Sequence, residues 1–322
     1  RIAILDDYQD CVRGLACFTR LEDHDVVVVH ETLRNPEALA ARLGAVEALV
    51  LIRERTGITA ALLEKLPTLR LVSQTGRHGP HIDVAACTTR GVAVAIGSGS
   101  PYAPAELTWA LVLAAMRGIA HENAALRAGR WQTMLGRTVR GKTLGILGYG
   151  NIGKLVAGHG RAFGMKVLAH GREGSQARAA ADGIESTSSR RALFEQSDVL
   201  SVHLRLTPET RGMISKDDLA VMPGESLFVN TSRAELVEPG ALLAALDAGR
   251  PGMAAVDVFE SEPTLDHPLI HHPRVLATPH LGYVERDSYE LYLGTAFDNV
   301  RAFARGEAVN LANPEVLAAR AR

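Results

Sequence analysis

The sequence predicts an α/β protein of two doubly wound, parallel-sheet domains. Eleven short, β-rich apolar runs alternate with helical stretches from one end to the other. None shows the polar alternation of a half-exposed strand, which is how parallel strands covered by helices on both faces read. The chain has 322 residues, 47% of them hydrophobic and 22% charged, enough for about two domains of ~150 residues with packed cores. A single Gly/Ser/Pro cluster divides the run of strands.

The first five runs cover 2–5, 26–29, 49–52, 69–73 and 92–95. The N-terminus, Arg1-Ile-Ala-Ile-Leu-Asp-Asp, reads as a core strand trimmed of its first residue or residues, with no basic, apolar leader. Gly97-Ser-Gly-Ser-Pro101-Tyr-Ala-Pro104 then breaks the pattern, and a long helix is expected from 105 to about 129. Six more strands are expected at 143–147, 166–169, 199–202, 227–230, 254–258 and 275–277. Residues 284–306 read as one helix with Leu291, Ala296, Val300 and Phe303 on its apolar side. The expected division is a first domain over 1–97, a second over 98–282, and a return of 283–322 to the first, which is then discontinuous.

Composition removes several classes of function. Lys plus Arg number 35 against 36 for Asp plus Glu, a formal charge of −1, without the basic excess of a nucleic-acid partner. The longest uncharged apolar stretch, 107–116, falls short of the ~20 residues needed to cross a bilayer. The three cysteines form no C-x-x-C pair, which argues against disulfides or structural zinc and for a reducing cytoplasm. His267, His271 and His272 lie in a Pro-bounded loop without regular ligand spacing, so no metal is expected.

The most informative segment is Lys142-Thr-Leu-Gly-Ile-Leu-Gly148-Tyr149-Gly150-Asn151-Ile152-Gly153. An expected strand runs into G-x-G-x-x-G and then into a helix, the context that a dinucleotide fingerprint requires. Gly148 allows the tight turn, Gly150 lets the backbone approach a pyrophosphate, and Gly153 allows helix and strand to pack closely. Eighteen residues on, where an acid would receive the ribose 2′-hydroxyl of NAD, stands Gly171, followed by Arg172. A guanidinium suits a 2′-phosphate, so the cofactor is expected to be NAD(P)(H) with NADP(H) favoured. Glu173 offers the alternative of a carboxylate reaching the ribose.

Three later segments carry a resemblance. Leu227-Phe-Val-Asn230-Thr231-Ser232-Arg233-Ala234, Ala255-Val-Asp257-Val-Phe-Glu-Ser-Glu262-Pro263 and Ala277-Thr-Pro279-His280-Leu-Gly282 resemble the C-terminal signatures of the D-isomer-specific 2-hydroxyacid dehydrogenases. The resemblance extends through Leu69–Gly76, His81–Ala86, Arg90–Val94 and Ala105-Glu106-Leu107, nearly the whole chain. It implies a Rossmann NAD(P)-binding domain, a flavodoxin-like substrate domain, and hydride transfer between NAD(P)H and C2 of a small anionic 2-keto or 2-hydroxy acid. In that chemistry His280 exchanges the proton of the carbonyl oxygen, Glu262 orients the histidine, and Arg233 holds the substrate carboxylate. The resemblance also assigns Leu204, Thr207, Asn230, Thr231, Ser232, Asp257 and Gly282 to the cofactor, Asp257 near the nicotinamide carboxamide.

Arg53, Gly76, Arg77 and His78 are expected to bound the substrate, and the resemblance implies that the helix opening at Ala105 serves a homodimer. Arg77-His78-Gly79-Pro80, Ala234 and Gly171 depart from the family's usual residues. Glyoxylate, hydroxypyruvate, 3-phosphoglycerate and bulkier keto acids are all compatible with the pattern. Two rival readings share the fold: a dinucleotide-sensing, corepressor-like interaction protein, and a formate-dehydrogenase-like enzyme. The latter resembles a variant with glutamine in place of the glutamate, against which Glu262 speaks.

Overall fold

A computed structural model describes residues 1–307 and 309–317. The chain forms two compact units, one comprising Arg1–Ser100 with Glu285–Arg322 and the other Pro101–Val284. The divisions thus fall at 100/101 and 284/285, a few residues from the 97/98 and 282/283 read from the Gly/Ser/Pro cluster and the last strand.

In the first unit β1 (Ile2–Leu5), β2 (Val26–Val28), β3 (Ala48–Leu51), β4 (Leu71–Gln74) and β5 (Ala93–Ala95) form a parallel sheet ordered β2-β1-β3-β4-β5. The side chains of β1, β3, β4 and β5 are buried on both faces, as the unbroken apolar runs require, while Val26 and Val27 of the edge strand β2 stay partly exposed. The helix Pro36–Leu43 starts where Asn35 accepts the Ala38 amide and Pro36 presets the first turn. The late helix Arg286–Ala304 is capped by the Glu285 carboxylate, which accepts from Asp287 and Ser288. It buries Tyr292, Leu293, Phe297 and Val300, and its Ala296 carbonyl receives the Ser73 hydroxyl of β4 at 2.9 Å.

Beyond that helix the chain closes the edge of the sheet. Leu311 bridges Ala95 in antiparallel fashion, and Ile96 donates to the Asn310 carbonyl at 2.9 Å. Asn313, fully buried, accepts from the Val94 amide and donates to the Val92 carbonyl and the Thr88 hydroxyl. The edge of β5 is thereby paired.

In the second unit β6 (Thr143–Leu147), β7 (Lys166–His170), β8 (Glu185–Ser186), β9 (Val199–Val202), β10 (Leu227–Asn230), β11 (Met253–Val256) and β12 (Val275–Ala277) form a parallel sheet. Its order is β12-β11-β10-β9-β6-β7-β8. The direction of winding reverses between β6 and β9, so the crevice for a ligand lies outside the carboxyl ends of these two strands. Core layers on the two faces are built on Leu144, Ile146, Val229 and Ala255 on one side and Leu147, Leu200, Val202 and Phe228 on the other.

Two expectations need correction. The single helix 105–129 is two helices, Tyr102–Arg117 and Ile119–Arg127. Gly118 adopts φ +61 between them, a left-handed residue that ends the first helix. The strand β8 was absent from the sequence reading, because two polar residues at a sheet edge leave no apolar run. No helix among the described residues is long and apolar enough to cross a membrane.

Candidate active site

The carboxyl edge of the seven-stranded sheet carries the chemistry-bearing residues of the second unit. After β6, Gly148 turns the chain at φ +97. A Cβ there would lie 2.6 Å from the His203 carbonyl oxygen and 2.9 Å from Leu204 Cδ2. A Cβ on Gly153 would strike the Gly148 carbonyl oxygen, whereas above Gly150 the space is open. The turn is therefore closed toward the protein and bare on the side a pyrophosphate needs. The helix Asn151–Ala162 begins here, its first intrahelical bond running from Lys154 N to Gly150 O. The amides of Asn151, Ile152 and Gly153 thus form the N-terminal turn, suited to an anion.

Tyr149 is turned the other way. Its ring is buried, its hydroxyl donates to Asp182 Oδ2 at 2.9 Å, and its amide donates to Ser175 Oγ at 2.8 Å. Neither side chain nor amide points into the cradle, which corrects its inclusion among the cofactor contacts. At the end of β7, Gly171 is followed by Arg172, which is exposed and precedes the helix Glu173–Ala181 without a side-chain cap bond. After β9, Leu204 packs beside Gly148, while Thr207 closes its own turn by donating its amide to Thr210 Oγ1.

Three neighbouring strands present Arg233, Glu262 and His280. His280 follows β12 on a turn that holds it at φ +53. Its Nδ1 lies 2.5 Å from Glu262 Oε2, and both side chains are 18% exposed, buried enough to strengthen the bond and open enough to meet a ligand. Glu262 follows β11, and its Oε1 accepts the Phe259 amide at 2.9 Å. Arg233 follows β10, half-buried, with Nη1 donating to the Ser232 carbonyl at 2.7 Å.

The residues around these three act as braces. Asn230 accepts from Ser232 N and donates to the Arg233 carbonyl. Ser232 Oγ donates to the Val202 carbonyl, joining β10 to β9. Thr231 Oγ1 meets Thr108 Oγ1 of the helix Tyr102–Arg117 at 2.7 Å. Asp257, fully buried, receives the Thr278 hydroxyl at 2.6 Å, the Leu281 amide at 2.7 Å and the Gly282 amide at 2.9 Å. Burial pushes its carboxyl above the usual range, against the pull of those donors and of His280. Asp257 therefore spans the turn that bears His280, a use that its expected position near the carboxamide did not foresee. Apart from the local bonds of Asn230, no sequence signal marks the partners of these braces, since those of Thr231, Ser232 and Asp257 lie 21 to 123 residues away.

The expected substrate residues of the first unit form their own cluster. Arg53, at φ +59, donates its amide to Thr75 Oγ1, and its guanidinium lies 5.7 Å from the centre of the Tyr292 ring. Gly76 sits against that guanidinium, with only 2.6 Å between a Cβ placed there and Arg53 Nη1. Arg77 and His78 lie exposed on the following loop. His267, His271 and His272 approach three different carboxylates, those of Glu260, Asp266 and Asp247, so they do not converge. Burial pushes the Cys17 and Cys87 thiols to about 12 and that of Cys11 to about 11, which leaves them unreactive.

Comparison with known proteins places this geometry. The model of the NAD binding domain of D-isomer specific 2-hydroxyacid dehydrogenases matches residues 109–282. A glyoxylate reductase of Aeropyrum pernix is 39% identical over 297 residues, 88% of each chain. Among solved structures, a phosphoglycerate oxidoreductase of Vibrio cholerae o395 has a TM-score of 0.93 at 51% identity, covering 95% of this chain and 99% of that one. A Ralstonia solanacearum protein provisionally assigned as a D-3-phosphoglycerate dehydrogenase oxidoreductase has a TM-score of 0.96 at 55% identity, covering 98% and 97%. The match to the D-3-phosphoglycerate dehydrogenase of Bacillus subtilis spans 51% of that protein's length.

Proposed function

The chain belongs to the family of D-isomer specific 2-hydroxyacid dehydrogenases, and from that premise we propose that it interconverts a small anionic 2-keto acid and the corresponding 2-hydroxy acid. A bound nicotinamide dinucleotide supplies the hydride. The open face above Gly150 and the amides of Asn151, Ile152 and Gly153 fit its pyrophosphate.

His280 gives a proton to the carbonyl oxygen as charge develops there and takes it back in the reverse direction. Glu262 holds the ring through Nδ1, which fixes Nε2 as the proton-transferring atom and places a negative charge beside the imidazolium. Arg233 presents the planar donor fork that matches a carboxylate. The observation that carries this reading is the 2.5 Å His280–Glu262 bond at the ends of two strands beside the one that ends in Arg233. In the first unit Arg53, Gly76, Arg77 and His78 offer cationic and backbone groups suited to an anion.

The test is loss of absorbance at the reduced-nicotinamide band with NADH or NADPH and a panel of 2-keto acids. Substituting His280→Ala is expected to lower turnover by about 10²–10⁴-fold, the range of general acid–base catalysis. Nucleotide binding with no acid reduced would overturn the enzyme reading.

Of the two dinucleotides we favour NADP(H). Gly171 supplies no carboxylate for a 2′-hydroxyl, and the exposed Arg172 beside it suits a 2′-phosphate. The ratio of kcat/KM for the two reduced cofactors decides between them. We also propose a homodimer, supported by Ile119, Leu126, Trp131, Met134 and Leu135, which are 40–94% exposed on one stretch of chain. A cytoplasmic setting is consistent with three free thiols.

A further inference from the structure

Cofactor choice in parallel nucleotide-binding sheets is commonly argued from the one residue at the tip of the second strand. Here the helix that follows that residue is bonded to the phosphate turn. Ser175, one turn into the helix Glu173–Ala181, accepts the Tyr149 amide at 2.8 Å. Arg178, almost one turn further, donates from Nε and Nη2 to the Tyr149 carbonyl at 3.3 and 3.2 Å. Asp182, just past the helix, receives the Tyr149 hydroxyl at 2.9 Å and Lys154 Nζ at 2.9 Å. The middle residue of the turn is thus gripped at its amide, carbonyl and side chain by one short helix and its C-cap.

The same serine stands over position 171. A Cβ on Gly171 would lie 2.8 Å from Ser175 Oγ and 3.0 Å from Ser175 Cβ. A side chain there requires Ser175 to shift, which displaces the oxygen that accepts from Tyr149. We propose that Ser175 is a specificity-determining residue that acts by position: it holds the phosphate turn through Tyr149, and in doing so it excludes the ribose-reading carboxylate from position 171. Positions 171 and 175 then set the choice between NAD(H) and NADP(H) jointly. This rests on the assignment of the glycine turn to a dinucleotide.

The experiment is a double-substitution cycle with Gly171→Asp, Ser175→Gly and both together, plus Gly171→Ala as the mildest probe of the clash. Dissociation constants for NADH and NADPH are read by nucleotide fluorescence. Exchange of the Tyr149 amide is followed by mass spectrometry without nucleotide, and thermal midpoints report folding. Ser175→Gly is expected to speed exchange at Tyr149 and to weaken both nucleotides alike by about tenfold, as for one lost hydrogen bond. Gly171→Ala and Gly171→Asp are each expected to weaken both nucleotides. In the pair, NADH binding is expected to exceed the sum of the single effects by about tenfold, while NADPH stays weak.

Single effects that add to within about twofold, with Tyr149 exchange unchanged by Ser175→Gly, would overturn the proposal, as would Gly171→Asp alone tightening NADH. Should Gly171→Asp fail to fold, the same cycle with Gly171→Ala reads the coupling. A parent protein that binds neither nucleotide removes the reading of the turn itself, an outcome distinct from additive effects in a parent that binds.

Discussion

His203 and His280 are both strand-end histidines of one sheet, and their surroundings give them opposite uses. His280 meets a carboxylate and stays partly open. His203, behind the glycine turn, meets the Ser201 hydroxyl through Nε2 at 2.8 Å, and burial pushes its imidazole down to about 3. The unfolded chain accepts a proton near pH 6.5, which the folded chain refuses until about pH 3. Its contribution to stability is therefore complete above pH 6.5 and is lost as pH falls toward 3. The residue keeps some solvent exposure, so we expect about 2–3 kcal/mol of that loss rather than the full shift. Denaturant unfolding at pH 7 and pH 4 checks this: His203→Gln flattens the difference, and an equal slope in both proteins refutes it. The strand-end position of His280 was legible from Pro279-His280-Leu-Gly282. The neutrality of His203 was not, because it depends on what the fold packs around it.

At the scale of elements, the sequence located the strands by their unbroken apolar runs, and in the structure most ends fall within two residues. What it missed was set by partners distant in the chain. The orientation of Tyr149 is decided by Ser175 and Asp182, 26 and 33 residues on, so the glycine motif alone assigned it to the cradle. The turn after β12 depends in the same way on Asp257. Asp257→Ala strands three donors and is expected to destabilise the protein by about 3 kcal/mol, with turnover falling further than nucleotide affinity. Unfolding midpoints and kcat measured together test this, and unchanged turnover refutes it. The break at Gly118 was hidden because one glycine in a long helical stretch is often tolerated. Gly118→Ala meets both φ +61 and the Met134 side chain, and a loss of about 1–2 kcal/mol is expected in thermal unfolding.

At the scale of the whole molecule, the family signatures made the reaction class legible over nearly the full chain. The substrate was not, because Arg77-His78-Gly79-Pro80 departs from the family's usual residues and its two ionisable side chains lie exposed on a loop. Self-association is a property of the same scale. Trp131, 76% exposed, and Leu135, 94% exposed, are the largest apolar surfaces on their segment. If they meet a second copy, Trp131→Glu introduces a charge into that contact and shifts the protein to a monomer in sedimentation at micromolar concentration. An unchanged sedimentation coefficient refutes it.

The pairing of residues 310–313 with the edge of β5 also bears on how the protein is made. A ribosome delivers β1 to β5 first, yet the helix Arg286–Ala304 and Asn313, which complete their surroundings, emerge 191 and 219 residues later, counted from Ala95 and Val94. The intervening second unit is contiguous, and its sheet draws no strand from the segments on either side. Nascent chains halted before residue 310 therefore expose an unpaired strand edge, the point at which a chaperone or a neighbouring chain could take hold.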